Sequence, residues 1–98
     1  MTVHVLALTV ELHLPQCHSL KEKRAVLKSM TDGARNRYAV AVAETDHQDT
    51  WQRAQLGFAC VSGSTSHATD VVDEVERFVW SFTESEVIDV RRHWLEVD

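Results

Sequence analysis

Between residues 3 and 14 the chain alternates without interruption. Leu6, Leu8, Val10, Leu12 and Leu14 fall on one side, and Ala7, Thr9, Glu11 and His13 on the other. A two-residue period of this length describes an extended strand with one buried face and one open face. The leucine side needs a second layer to cover it, so the rest of the chain must supply that layer. Pro15 ends the strand.

The covering elements follow in order. Ser19 is placed to cap a helix, and Glu22, three residues on, completes a capping box. Val26, Leu27, Met30 and Ala34 then recur at helical spacing, with Leu20 at the edge of their arc. Gly33 marks fraying near the end and Asn36 a stop. Tyr38 to Glu44 reads as a second strand, with Tyr38, Val40 and Val42 inward and the alanines at 39, 41 and 43 outward. Residues 45–49 are a polar turn. A third strand runs from about Trp51 to Ser62. Its even positions, Ala54, Leu56, Phe58 and Cys60, face the core, because burying Arg53 and Gln55 on the other side would be costly. Ser64 or Ser66 caps a second helix with the stripe Val71, Val72, Val75, Phe78, Val79 and Phe82, and a last strand spans roughly Val87 to Val97. The order βαββαβ predicts a single α+β domain over residues 1–98. Two helices pack on one face of a four-stranded antiparallel sheet in a ferredoxin-like arrangement.

Composition agrees with one unstapled core. Apolar residues make up 44% and charged residues 26%, and the two cysteines, Cys17 and Cys60, form no C-x-x-C pair. A disulfide framework is not expected, and a reducing compartment fits. The first residues lack a signal-peptide pattern, and no apolar run nears the roughly 18 residues of a membrane span. The expectation is a soluble cytoplasmic protein with no membrane partner.

Charge is divided along the chain. Residues 1–37 hold six Lys/Arg against three acids, while residues 38–98 hold four against twelve, within a net charge of −5. One face able to meet an anion and another repelling it is one reading; helices that merely carry their own solvated charges is the other.

In the segment Ser19-Leu20-Lys21-Glu22-Lys23-Arg24, helical spacing lines up Lys21, Arg24, Lys28 and Arg35 as a basic stripe beside the buried arc. Such a stripe can follow a phosphate backbone or simply be a solvated face. Lys23 projects into the apolar arc instead. There it either snorkels over the sheet edge or needs an acidic partner or an anionic ligand. A second segment, Asp49-Thr50-Trp51-Gln52-Arg53, offers Trp51 and Arg53 for contact with a partner on the open sheet face, together with Gln55 and Glu11. Its plainer reading pairs Arg53 with Glu11 across strands.

Several chemistries find no support. Leu56-Gly57-Phe58-Ala59-Cys60-Val61 is similar to part of the RNA-recognition-motif signature, but strand parity turns Phe58 toward the helices and removes the stacking platform. The histidines and cysteines show no metal-ligand spacing, and no nucleophile elbow, P-loop or dinucleotide fingerprint occurs. No enzyme activity, metal or cofactor is expected.

Taken together, His18-Ser19-Leu20-Lys21-Glu22-Lys23-Arg24, Arg35-Asn36-Arg37-Tyr38, Val42-Ala43-Glu44 and Asp49-Thr50-Trp51-Gln52-Arg53-Ala54 resemble the YlxP-like family, a bacterial domain of unknown function (DUF503). The resemblance covers nearly the whole chain. It implies a ferredoxin-like fold and a bacterial cytoplasmic protein. Genes of that family often lie near those for translation initiation and ribosome maturation, which implies ribosome-linked work. No catalytic residues come with it. The expected partner is ribosomal RNA or a ribosomal protein, not DNA, met through Lys21, Lys23, Arg24, Lys28, Arg35 and Arg37. The alternatives are a self-associating, homodimeric or protein-binding module using the open sheet face, and a small-anion regulatory module gripping its ligand with Lys23 or Arg53.

Overall fold

The alternating segment forms strand β1, Val3–His13, and lies inside the sheet rather than at its edge. A computed structural model describes residues 2–97, with only the backbone described at 96 and 97. After β1 come helix α1 (Leu20–Arg37), β2 (Ala41–Asp46), β3 (Arg53–Ser62), α2 (Thr65–Trp80) and β4 (Glu86–Val97). The sheet order is β2-β3-β1-β4, with every neighbouring pair antiparallel. Both helices pack on one face, giving the α+β, ferredoxin-like architecture that the alternation and the two helical stripes predict. None of the helices among the described residues is long and apolar enough to cross a membrane.

The predicted parity holds through both central strands. Leu6, Leu8, Val10, Leu12 and Leu14 are buried, and so are Ala54, Leu56, Phe58 and Cys60. They meet Leu27, Met30 and Ala34 from α1 and Ala68, Val72, Val75 and Val79 from α2. Each buried leucine contributes roughly 1.5–3 kcal/mol relative to exposure, so this layer is what holds the sheet under the helices. Phe58, 2% exposed, cannot stack on a base.

Helix α1 begins as expected and ends later. Ser19 Oγ accepts from Glu22 N at 3.1 Å, while Glu22 Oε2 accepts from His18 N at 3.4 Å, one residue upstream of the usual capping-box return. Gly33 does not fray. A Cβ there would lie 2.6 Å from Phe78 Cζ, so the bare backbone lets α1 approach α2. Asn36 does not stop the helix either. The last turn is held by packing: the Arg37 guanidinium sits 4.9 Å above the Phe78 ring, Tyr38 meets Phe78 edge-on at 5.9 Å, and Tyr38 N donates to Ala34 O. β2 therefore starts at Ala41, three residues after Tyr38, with the predicted parity intact. Helix α2 is capped by Ser64, whose Oγ accepts from His67 N at 3.3 Å.

Strand register orders the open face into rows. Val61, Val5 and Leu95 form one row, and Ala41, Ala59, Ala7 and His93 the next. Ala43, Gly57, Thr9 and Arg91 follow, then Gln55, Glu11 and Asp89. The face thus grades from apolar at one end, through a floor of alanine and glycine, to charged at the other.

Candidate functional site

The two sequence blocks that carry the family resemblance meet at one end of the molecule, where α1 begins beneath the β2–β3 loop. Lys23 ties them together. It is 1% exposed, its Nζ donates to the His47 carbonyl at 2.6 Å, and Glu44 Oε2 lies 2.8 Å away. That Glu44 oxygen is itself buried and accepts from no other donor, so the ammonium is its counter-charge. Lys23 therefore neither snorkels nor belongs to an anion- or RNA-binding surface: its acidic partner comes from within the chain. Sequence reasoning left Glu44 out, although the signal was present. Glu44 follows Val42 at even parity, which turns it under the sheet toward α1.

Gln52 makes the second tie. Its Nε2 donates to the Pro15 and Cys17 carbonyls, each at 3.2 Å, while Leu14 N donates to Gln52 O at 2.9 Å. The β1–α1 and β2–β3 loops are stitched together by one amide side chain and its backbone.

On the open face Glu11 collects three partners. Gln55 Nε2 donates to Oε1 at 2.7 Å, Arg53 donates to Oε2 at 3.1 Å, and His47 Nε2 lies 3.2 Å from Oε2. Burial alone would raise the Glu11 carboxyl, but the hydrogen bonds from Gln55 and Arg53 and the nearby His47 ring outweigh it and hold its pKa below the ordinary value. Of the residues predicted to meet a partner on this face, Arg53, Gln55 and Glu11 thus hold one another. Trp51 is not in the strand at all. It precedes β3, half exposed, and lines a hollow with His18, Asp49, Thr50 and Gln52.

The basic stripe on α1 is present but unequal. Lys28 and Arg35 share Asp32, at 2.7 and 3.5 Å, and Arg35 also donates to the Val42 carbonyl at 2.8 Å. The Lys28 hydrogen bond holds the Asp32 carboxyl below its usual range. Arg37 lies over Phe78. Lys21 and Arg24 are exposed and have no partner among the described residues. Across the layer, α2 carries Asp70, Asp73, Glu74 and Glu76 against Arg77, whereas α1 carries six cations against two acids. Arg92 of β4 partly balances α2 through Asp73 at 2.8 Å and Glu76 at 3.0 Å.

Once structural tasks are assigned, Ser19, Glu22, Lys23, Gln52 and Arg53 are accounted for. Lys21, Arg24 and Trp51 remain, exposed and with no hydrogen-bond or ion-pair partner among the described residues. Cys17 and Cys60 are free and buried, and burial pushes both thiols up. No three His, Cys, Asp or Glu side chains among the described residues are grouped to hold a metal ion.

Comparison with known proteins gives the family. Residues 5–92 match the family model described as "Protein of unknown function (DUF503)". The chain is similar to "Uncharacterized protein YlxP" of Bacillus subtilis (strain 168), with 42% identity over 76 residues, covering 78% of this chain and 83% of that one. With nearly its whole length inside the family model, the chain belongs to the DUF503 family.

Proposed function

We propose that this is a non-enzymatic cytoplasmic protein that binds RNA in ribosome maturation or translation, using the N-terminal end of α1 and the β2–β3 loop. The observation that carries the reading is the set of residues left over: Lys21 and Arg24 present unneutralised charge one helical turn apart, and Trp51 stands exposed at the same end. Cations on a rigid helix take phosphates, and an exposed indole offers a platform for an unpaired base. Lys28 and Arg35 extend the track with weakened charge, because Asp32 sits between them. The ribosome enters through the family's gene neighbourhood, and the acidic surface of α2 keeps the polyanion to the α1 side.

Reversing Lys21, Arg24 and Lys28 to Glu tests it. The triple variant is expected to keep its circular dichroism and lose co-sedimentation with small ribosomal subunits. Unchanged co-sedimentation with unchanged salt sensitivity would sink the assignment.

A further inference from the structure

The open side of the sheet, opposite α1, carries a surface that the RNA reading leaves unused. Its floor is made of Ala7, Ala41, Ala43, Gly57 and Ala59, forming a shallow hollow of about 370 Å³. Gly57 keeps the floor low, since a Cβ there would lie 3.0 Å from Thr45 Cγ2. Beside the floor rises a ridge of Val5, Val61 and Leu95, with Val61 64% and Leu95 59% exposed. An apolar patch of this kind on a sheet is characteristic of an interaction surface.

We propose that the occupant is a second copy of this chain, packed face to face about a two-fold axis that lies along the rows, between Val5 and Ala7. Such an axis reverses the strand direction and seats each copy's ridge in the other's floor. The patch is therefore complementary to itself, as an isologous contact requires. Charge favours the same partner. The chain is −5 overall, yet the floor and ridge hold no acid, and only His93 and Arg91 flank them on β4. Two copies meet where their mutual repulsion is weakest. Size suits a weak contact: the three rows of floor and ridge, with positions about 6.8 Å apart along the strands and about 4.8 Å apart across them, give roughly 360 Å² per copy, below the roughly 1,000 Å² in total of a stable interface. The contact is thus a modest one, formed in the micromolar range. It leaves both α1 helices on the outside, and it stands whether or not they bind RNA.

Sedimentation velocity of the full chain, from micromolar to several hundred micromolar, reads the assembly. The wild type is expected to shift from monomer to dimer across that range. Ala59→Arg in the floor and Val61→Lys on the ridge are each expected to weaken dimerisation at least tenfold while leaving circular dichroism unchanged. Val61 is exposed enough that its replacement leaves the core alone. A wild type that stays monomeric at every concentration overturns the proposal, and so does a dimer that persists in both folded variants. A monomeric wild type that binds an apolar dye on this face would assign the floor to a different occupant, and also overturns it.

Discussion

Lys23 Nζ donates at 2.6 Å to the carbonyl of His47, whose φ of 63° is the one positive value found among the described non-glycine residues. The left-handed turn at His47 aims its carbonyl at α1 and its ring at Glu11, so a single residue joins the helical side of the sheet to its open face. Asp46 Oδ1 accepts from His47 N at 2.7 Å and Thr50 N donates to His47 O at 3.0 Å, and both bonds hold the turn. A non-glycine residue in this region is uncommon, with histidine among the more tolerant.

Removing the ammonium should therefore cost more than an ordinary surface charge. Lys23→Met is expected to destabilise by about 2 kcal/mol, below the roughly 3–5 kcal/mol for breaking a fully buried pair. The discount reflects Glu44, which keeps 27% of its side chain exposed. Adding Glu44→Leu should restore most of the loss in urea unfolding. A Lys23→Met variant as stable as the wild type would show that the pair contributes nothing.

Gly33 makes the opposite kind of test. Alanine gains up to about 1 kcal/mol of helix propensity at an interior position. Here its methyl would intrude on Phe78, held between Tyr38 and Phe82, and overpacking costs roughly 1–3 kcal/mol. Gly33→Ala is expected to lower the thermal midpoint in the wild type and to raise it when Phe78 is replaced by Leu. A stabilised single variant would show that the ring moves aside freely.

Glu11 should leave a mark on acid stability. Its folded pKa is lowered from 4.5, so its contribution is fully present above that value and is lost as the pH falls through the lowered one. Glu11→Gln is expected to be less stable than the wild type at neutral pH, with the gap closing as the pH falls below 4.5 and through the lowered folded value, where both carry a neutral side chain. Parallel stability curves across that window would rule the effect out.

Both thiols should be quiet in the native state. Burial raises Cys17 and Cys60, leaving little thiolate, and Glu22 raises Cys17 further while Lys23 works against it. A disulfide reagent at neutral pH is expected to find no fast thiol in the folded chain and both after denaturation. Lys23→Met should slow Cys17 further, provided the fold is kept. A fast-reacting native thiol would contradict the burial.

RNA binding should separate into a charge part and a stacking part. With four phosphates engaged on a single strand, log K against log salt is expected to fall with a slope of about −3, and Lys21→Glu with Arg24→Glu should reduce that slope by about half. Trp51→Ala should weaken binding by roughly 1–3 kcal/mol and leave the slope alone. Filter binding over a salt series measures both. A slope unaffected by the double charge reversal would move the RNA elsewhere.

Most of the fold could be read in the sequence because β1 and β3 alternate strictly and both helices carry apolar stripes. The topology follows once the even positions need covering. The boundaries near Arg37 and Ala41 could not be read, because Arg37 and Tyr38 extend α1 by packing on Phe78, which lies far along the chain. Lys23 is conspicuous within the apolar arc of α1, and Glu44, two residues past Val42, shares the inward parity that brings it to Lys23. The stitch made by Gln52 and the turn at His47 depend on loop backbone, where no period operates. The apolar half of the open face was hidden for another reason: alanine and glycine look unremarkable along a strand and become a floor only when register sets them side by side.

One end of the sheet is covered on the helix side only. At that end Val3, Val61 and Leu95 point to the open face and are each at least 45% exposed, whereas Trp94, opposite Leu6, lies on the helix side beside Thr65 and Thr69 of α2. Amide protons near those strand ends can exchange with solvent through local fraying, while those of β1 between Leu8 and Leu12 must await opening of the whole domain. Deuterium uptake along β1 and β4 should therefore slow progressively from that end toward the middle of the sheet, and a partner seated on the open side would slow it at Val5 and Leu95 first.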